Sequence, residues 1–137
     1  MICLDTDFLI ALWRSRNNPD HPARQALLRH PSEVLVVCIP VAGEFLEGAA
    51  FISEDRLLEA VRFLRLFDVS GLSLQTAVQY GKTVADLRHK GLLTGVSRAD
   101  IWIAAWAVQH NAYLATQNAK HFRYVPSLKM ISFSPSS

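Results

Sequence analysis

The sequence predicts a single three-layer α/β/α domain spanning residues 1–137, with a central, mostly parallel sheet of about five strands flanked by helices. Five short apolar runs, at residues 2–4, 34–38, 67–69, 113–115 and 130–133, recur along the chain. Segments of helical periodicity separate them, and strands alternating with helices imply parallel pairing with helices on both faces. At 137 residues, half of them hydrophobic, the chain can bury one sizeable core without a second domain.

Each element has a local reason. Ile2, Cys3 and Leu4 form the first strand, and a helix follows over about 8–14, with Asp7 as its N-cap. The Asn17-Asn18-Pro19 turn leads to a helix over about 21–30, capped by Asp20. After the strand at 34–38, Pro40 suits the first turn of a helix that carries Glu44 and a solvated Glu47. Ser53 caps the next helix, whose apolar stripe is Leu57, Leu58, Val61 and Leu64. Ser73 opens a longer one, striped by Leu74, Ala77, Val78, Gly81, Val84 and Leu87 and ended by Gly91. Ser97 caps DIWIAAWAV, which is apolar almost all round and is therefore expected to be central, with Trp102 and Trp106 in the core. Only the tail at 134–137 reads as flexible.

Composition narrows the function classes. No apolar run reaches the roughly 18 residues of a membrane span, and the first ten residues carry acid where a signal peptide carries base. A net charge of +2 announces no polyanion partner, so affinity for nucleic acid rests on local Arg and Lys placement. Cys3 and Cys38 lie inside strand-like runs and read as reduced core residues of a cytoplasmic protein.

Four oxygen-bearing side chains are positioned to meet. In an open α/β sheet, ligands bind beyond the carboxyl ends of the strands. Asp5 follows the first strand, Glu44 lies early in the helix after the second, Asp100 begins the apolar helix, and Asn118 follows the fourth strand. Such clustering is repulsive unless a divalent cation sits among the groups, and hard oxygen ligands suit Mg²⁺ or Mn²⁺.

The stretches LDTDFLI, GEFLEG, ADIWIAAWAVQHN and LATQNAKHF, in this order and spacing, resemble PIN-domain nucleases, and specifically the small VapC-type toxins of bacterial toxin–antitoxin pairs. The resemblance spans nearly the whole chain. It implies a Mg²⁺- or Mn²⁺-dependent endoribonuclease that leaves a 5′-phosphate and a 3′-hydroxyl. Asp5, Glu44 and Asp100 would be the catalytic and metal-binding acids, supported by Thr6, Asp7, Thr116 and Asn118. Arg98, Lys120, His121 and Arg123 flank these motifs as candidates for RNA phosphates. The resemblance also implies a homodimer and a small VapB-like antitoxin. Apolar side chains of the first helices, among them Leu9, Leu12, Trp13, Phe45 and Leu46, are expected to leave an exposed groove for that partner. Two positions depart from the family pattern: Asp7 stands where Asn or Ser is more usual, and His121 where an acid is common.

Other readings fit less well. LDTD also matches the Asp-x-Asp start of haloacid-dehalogenase-type phosphatases, with Asp5 as nucleophile, but that chemistry needs a late acidic pair and nothing after Thr116 is acidic. A receiver domain needs an acceptor Asp after the third strand, where Ser70-Gly71 stand instead. A PIN fold kept only as an RNA- or protein-binding scaffold, with a degenerate site, would be marked by loss of Asp5, Glu44 or Asp100; all three are present. A PIN nuclease without an antitoxin also remains open.

Overall fold

The strand that begins the chain becomes the middle of the sheet. A computed structural model describes residues 1–133, and the tail expected at 134–137 lies outside them. The elements are β1 (Ile2–Leu4), α1 (Thr6–Arg14), α2 (Pro22–Leu28), β2 (Leu35–Cys38), α3 (Ile39–Ile52), α4 (Glu54–Leu64), β3 (Asp68–Ser70), α5 (Leu74–His89), α6 (Arg98–Gln109), β4 (Tyr113–Thr116), α7 (Ala119–Phe122) and β5 (Lys129–Ser132). The five strands form one sheet of order β3-β2-β1-β4-β5, every pair parallel. The third and fifth strands each sit one residue from their expected positions. The expected α/β/α architecture is the one observed.

Burial follows this order. All of β1 is sealed, as are Leu114, Ala115 and Thr116 of β4, because helices cover both faces at the centre. The edges are polar: Asp68 on β3 and Lys129 on β5 are exposed, which discourages further strand pairing. Ile101, Ala104, Ala105 and Ala107 of α6 are fully buried, in keeping with its unbroken apolar character. Their alanines let the helix approach closely, and each larger buried side chain contributes roughly 1.5–3 kcal/mol.

Three local expectations are corrected. The N-cap of α2 is His21, not Asp20, because Pro22 occupies the first helical turn; the His21 ring accepts from the Ala23 N–H at 3.1 Å. In α4 the buried residues are Ala60, Phe63 and Leu64, and Leu58 is exposed, because Phe63 joins an aromatic cluster with Trp13, Phe45 and Phe67. In α5 the buried face carries Thr76, Thr83 and Leu87, whereas Leu74 is 78% exposed. Packing on α6 decides this: the Thr76 hydroxyl donates to Gln109 Oε1, so a polar residue is satisfied inside. Gly91, at φ +68°, ends α5 as expected.

Candidate active site

The strand order reverses at β1, with β2 on one side and β4 on the other, and open α/β sheets bind ligands at such a switch point. Asp5 leaves β1 there. Its N–H donates to the Ala115 carbonyl at 3.0 Å, extending the β1–β4 pairing by one bond. One carboxylate oxygen accepts from the Phe8 N–H at 2.9 Å, and the other accepts from the Thr116 hydroxyl. Asp5, and not Asp7, is therefore the N-cap of α1. The reason is that α1 begins at Thr6 with no loop after the strand, so only the junction residue can do the capping.

Asp7 is freed for the site. Its carboxylate accepts from Asn118 Nδ2 at 2.7 Å, and its backbone carbonyl accepts from Gln117 Nε2 at 2.9 Å. The Thr116 hydroxyl also accepts from the Asn118 N–H at 2.9 Å. Helix α3, with Pro40 in its first turn, carries Glu44, whose Oε2 accepts from the Thr6 hydroxyl at 2.8 Å. Ser97 caps α6 through the Asp100 N–H at 3.1 Å and so fixes Asp100 in the first turn.

The charges of these acids are coupled. Asp5 is only 6% exposed, and burial raises its carboxyl pKa to about 6. The Asp7 and Asp100 charges push the same way, while the hydrogen bonds from Thr116 and Phe8 oppose them. Burial also raises Asp100, with Glu44 and Asp7 adding to the effect; Ser97 and a nearby His121 oppose it. Among the described residues, no Lys or Arg forms an ion pair with any of the four acids.

This donor set fits a hard divalent cation. Every group is an oxygen, and among the described residues no Lys or Arg ion pair neutralises them, though His121 stands near Asp100. Among the described residues, no three His, Cys, Asp or Glu side chains form a ready-made cage. A hard cation held here would therefore complete its shell with water.

The basic candidates divide. Lys120 and His121 line a cavity of about 480 Å³ beyond Asn118. Arg98 is exposed in the first turn of α6. Arg123 is exposed, its guanidinium 4.7 Å from the Tyr124 ring. Sequence reasoning missed Arg14, which lines a cavity of about 580 Å³ with Asp7 on one side of α1 and one of about 170 Å³ with Glu44 on the other. Its signal was the seven-residue, two-turn spacing from Asp7.

The apolar side chains of the first helices form the expected groove only in part: Trp13 and Phe45 reach the lining of the smaller cavity, and the others pack inward. Leu9, Leu12, Trp13 and Phe45 are buried, and Leu46 packs partly buried against the same core. Trp13 meets Phe45 and Phe63 edge-on, which draws these residues inward. The smaller cavity is nonetheless largely apolar, with Ile10, Ala49 and Ile52 in its lining beside Glu44.

Comparison with known proteins bears on the family and the fold. The PIN domain family model matches residues 2–127. The chain belongs to the PIN domain family. This PIN domain is 28% identical over 130 residues to ribonuclease VapC1 of Haemophilus influenzae strain R2866, the match covering 92% of each chain. It is similar to VapBC-1 from nontypeable Haemophilus influenzae, with a TM-score of 0.80 and 29% identity, covering 96% of this chain and 98% of that one. It is also similar to DNA-bound VapBC from Salmonella typhimurium, with a TM-score of 0.80 and 25% identity over 96% of each chain. No helix among the described residues is long and apolar enough to cross a membrane.

The raised pKa of Asp5 sets a sign for stability. In chelator, folded Asp5 keeps its proton to about pH 6, against an ordinary value of 3.8 in the unfolded chain. The folded state therefore binds more protons between those values, and stability falls as pH rises through them, by roughly 3 kcal/mol in all. Thermal melts should show the wild type losing stability relative to Asp5→Asn between pH 4 and pH 7. Parallel curves would mean that Asp5 ionises as readily folded as unfolded.

Proposed function

We propose that this PIN domain is an endoribonuclease that hydrolyses RNA phosphodiester bonds with Mg²⁺ or Mn²⁺ held by Asp5, Glu44 and Asp100. One observation carries the reading: at the switch point of a parallel sheet Asp7 and Asp100 stand near the buried Asp5, and Asp7 and Glu44 near the half-buried Asp100, with no Lys or Arg ion pair to these acids among the described residues. Similarity to ribonuclease VapC1 supports it. When bound, the ion neutralises this charge, orients the scissile phosphate and lowers the pKa of a water.

The chain's own residues supply orientation. Phe8 and Thr116 hold both oxygens of Asp5, so its remaining lone pairs have a fixed direction. Thr6 restrains Glu44, Asn118 restrains Asp7, and Ser97 sets the turn that carries Asp100. Lys120, His121 and Arg14 contact RNA phosphates on either side of the acids, as does Arg98, in the same turn as Asp100. The buried free thiols of Cys3 and Cys38, 3.5 Å apart, suit a reducing cytoplasm.

The partner reading rests on the apolar cavity between α1, α3 and α4. Ile52 at its edge is 68% exposed and neighbouring Phe51 is 92% exposed, so an amphipathic helix of a VapB-like antitoxin gains apolar contacts there. A basic side chain on that helix would reach Glu44, where a charge-assisted bond competes with the cation. A homodimer is supported by Leu74 and Val78, exposed four residues apart on α5.

Three outcomes are expected. Purified protein cleaves RNA with Mg²⁺ or Mn²⁺ and stops in EDTA, and Asp100→Asn slows it about a hundredfold or more, since even residues that only orient metal ligands cost 10–100-fold. Undiminished cleavage in EDTA, read on a gel of labelled RNA, would sink the metal mechanism. A small protein encoded beside this gene co-purifies with it and relieves growth inhibition, and Ile52→Asp weakens the complex; failure of both ends the antitoxin reading alone. Light scattering at micromolar concentration gives the mass of two chains, and Leu74→Asp lowers it to one; a wild-type monomer contradicts the dimer.

A further inference from the structure

The structure places a second kind of cavity on the flank of α1 opposite the apolar one. Its volume is about 580 Å³, and it lies between α1, the turn at residues 15–21 and the residue after β5. We propose that it is a base-selection pocket, which takes one unpaired nucleobase of the RNA beside the phosphate that is cut. This proposal rests on the ribonuclease reading and assigns the source of its sequence preference.

Position comes first. Asp7 is shared by the cavity and the acid cluster, and Gln117 of the cavity wall donates to the Asp7 carbonyl at 2.9 Å. A nucleotide whose phosphate sits at the acids can therefore turn its base into this space. Arg14 stands on the lining, and among the described residues it forms no ion pair, so it is available to the neighbouring phosphate.

The lining suits a base better than a peptide side chain. Ile10 and Ala11 give an apolar floor. The Phe133 ring, edge-on to Phe8 at 5.2 Å and to His21 at 5.9 Å, gives an aromatic wall of fixed orientation. Single-stranded RNA is read by stacking on such rings and by hydrogen bonds to base edges.

The polar groups are pre-set by their other bonds. His21 Nδ1 accepts the Ala23 N–H to cap α2, so the neutral ring carries its proton on Nε2 as a donor. Gln117 uses its amide nitrogen on Asp7, leaving Oε1 as an acceptor. Asn18 Oδ1 accepts from the Asp20 N–H at 3.2 Å, leaving its amide N–H groups as donors. The turn that carries Asn18 is itself held, by the Ser15 hydroxyl on the Ala11 carbonyl at 2.7 Å and the Asn18 N–H on the Ser15 carbonyl at 2.8 Å. Two donors and one acceptor on a rigid frame form a readable pattern, and an incorrect base leaves one of them unpaired.

The test sequences the ends produced from a randomised, unstructured RNA, and in parallel measures binding of fluorescent A, C and U pentaribonucleotides to cleavage-impaired Asp100→Asn protein. Wild type should prefer one base at one position flanking the cut. His21→Asn, which keeps an N-cap, and Asn18→Ala should each reduce that preference at least tenfold, and at that position only. In the Asp100→Asn background the same changes should level the affinities of the three pentamers. Variants that cut more slowly but with unchanged preference overturn the proposal. So does a result in which they weaken only antitoxin binding, which would assign the cavity to the peptide. Base-selective binding that His21→Asn abolishes, with no cleavage by wild type in any metal, supports the pocket and overturns the ribonuclease reading instead.

Discussion

One buried carboxylate holds the junction on which the site is built. Asp5 ends β1, caps α1, continues the pairing to β4 through its N–H and accepts the Thr116 hydroxyl from that neighbouring strand. The direct passage from strand to helix leaves no loop to absorb error, so these bonds set the angle at which α1 leaves the sheet. That angle in turn places Thr6 against Glu44 and Asp7 against Asn118. A substitution at Asp5 therefore affects geometry and charge together. Asn in its place has one acceptor oxygen for two donors.

The same carboxylate is where stability and chemistry conflict. Burial and the neighbouring acids raise its pKa to about 6, so its ionised form is disfavoured in the bare fold. A divalent cation reverses that preference, because its charge favours the ionised form of every group it touches. A buried acid of raised pKa at one point of an otherwise well-packed α/β core marks a candidate functional site.

Helix α1 divides the surroundings of the site by its own periodicity. Phe8, Leu9 and Leu12 face the core, while Asp7, Ile10, Ala11 and Arg14 face outward along one stripe. To one side, α3 and α4 supply apolar residues beside Glu44; to the other, the 15–21 turn and Gln117 supply hydrogen-bonding groups beside Asp7. Arg14 borders both. The two flanks of the acids thus differ in chemistry, one largely apolar and the other lined by hydrogen-bonding groups.

Much of this protein was determined by its sequence. The five strands, the serine caps at 53, 73 and 97, the stop at Gly91 and the buried α6 follow from short-range periodicity and end signals, which the chain carries locally. The acids also follow, since residues just past a strand or at the start of a helix fall at one sheet edge whatever the rest does. Tertiary structure decided which partners those residues met. It made Asp5 the cap and left Asp7 to Asn118, because the helix start depended on the pairing of β1 with β4. It turned Thr76 inward toward Gln109 and Leu74 outward, against hydropathy, because α6 offered an acceptor there. It drew Leu12, Trp13 and Phe45 into the core, and it set Arg14 between two cavities formed by segments distant in sequence. Propensity and periodicity act within a few residues, whereas the burial and hydrogen bonding of a side chain depend on whatever the completed sheet brings against it.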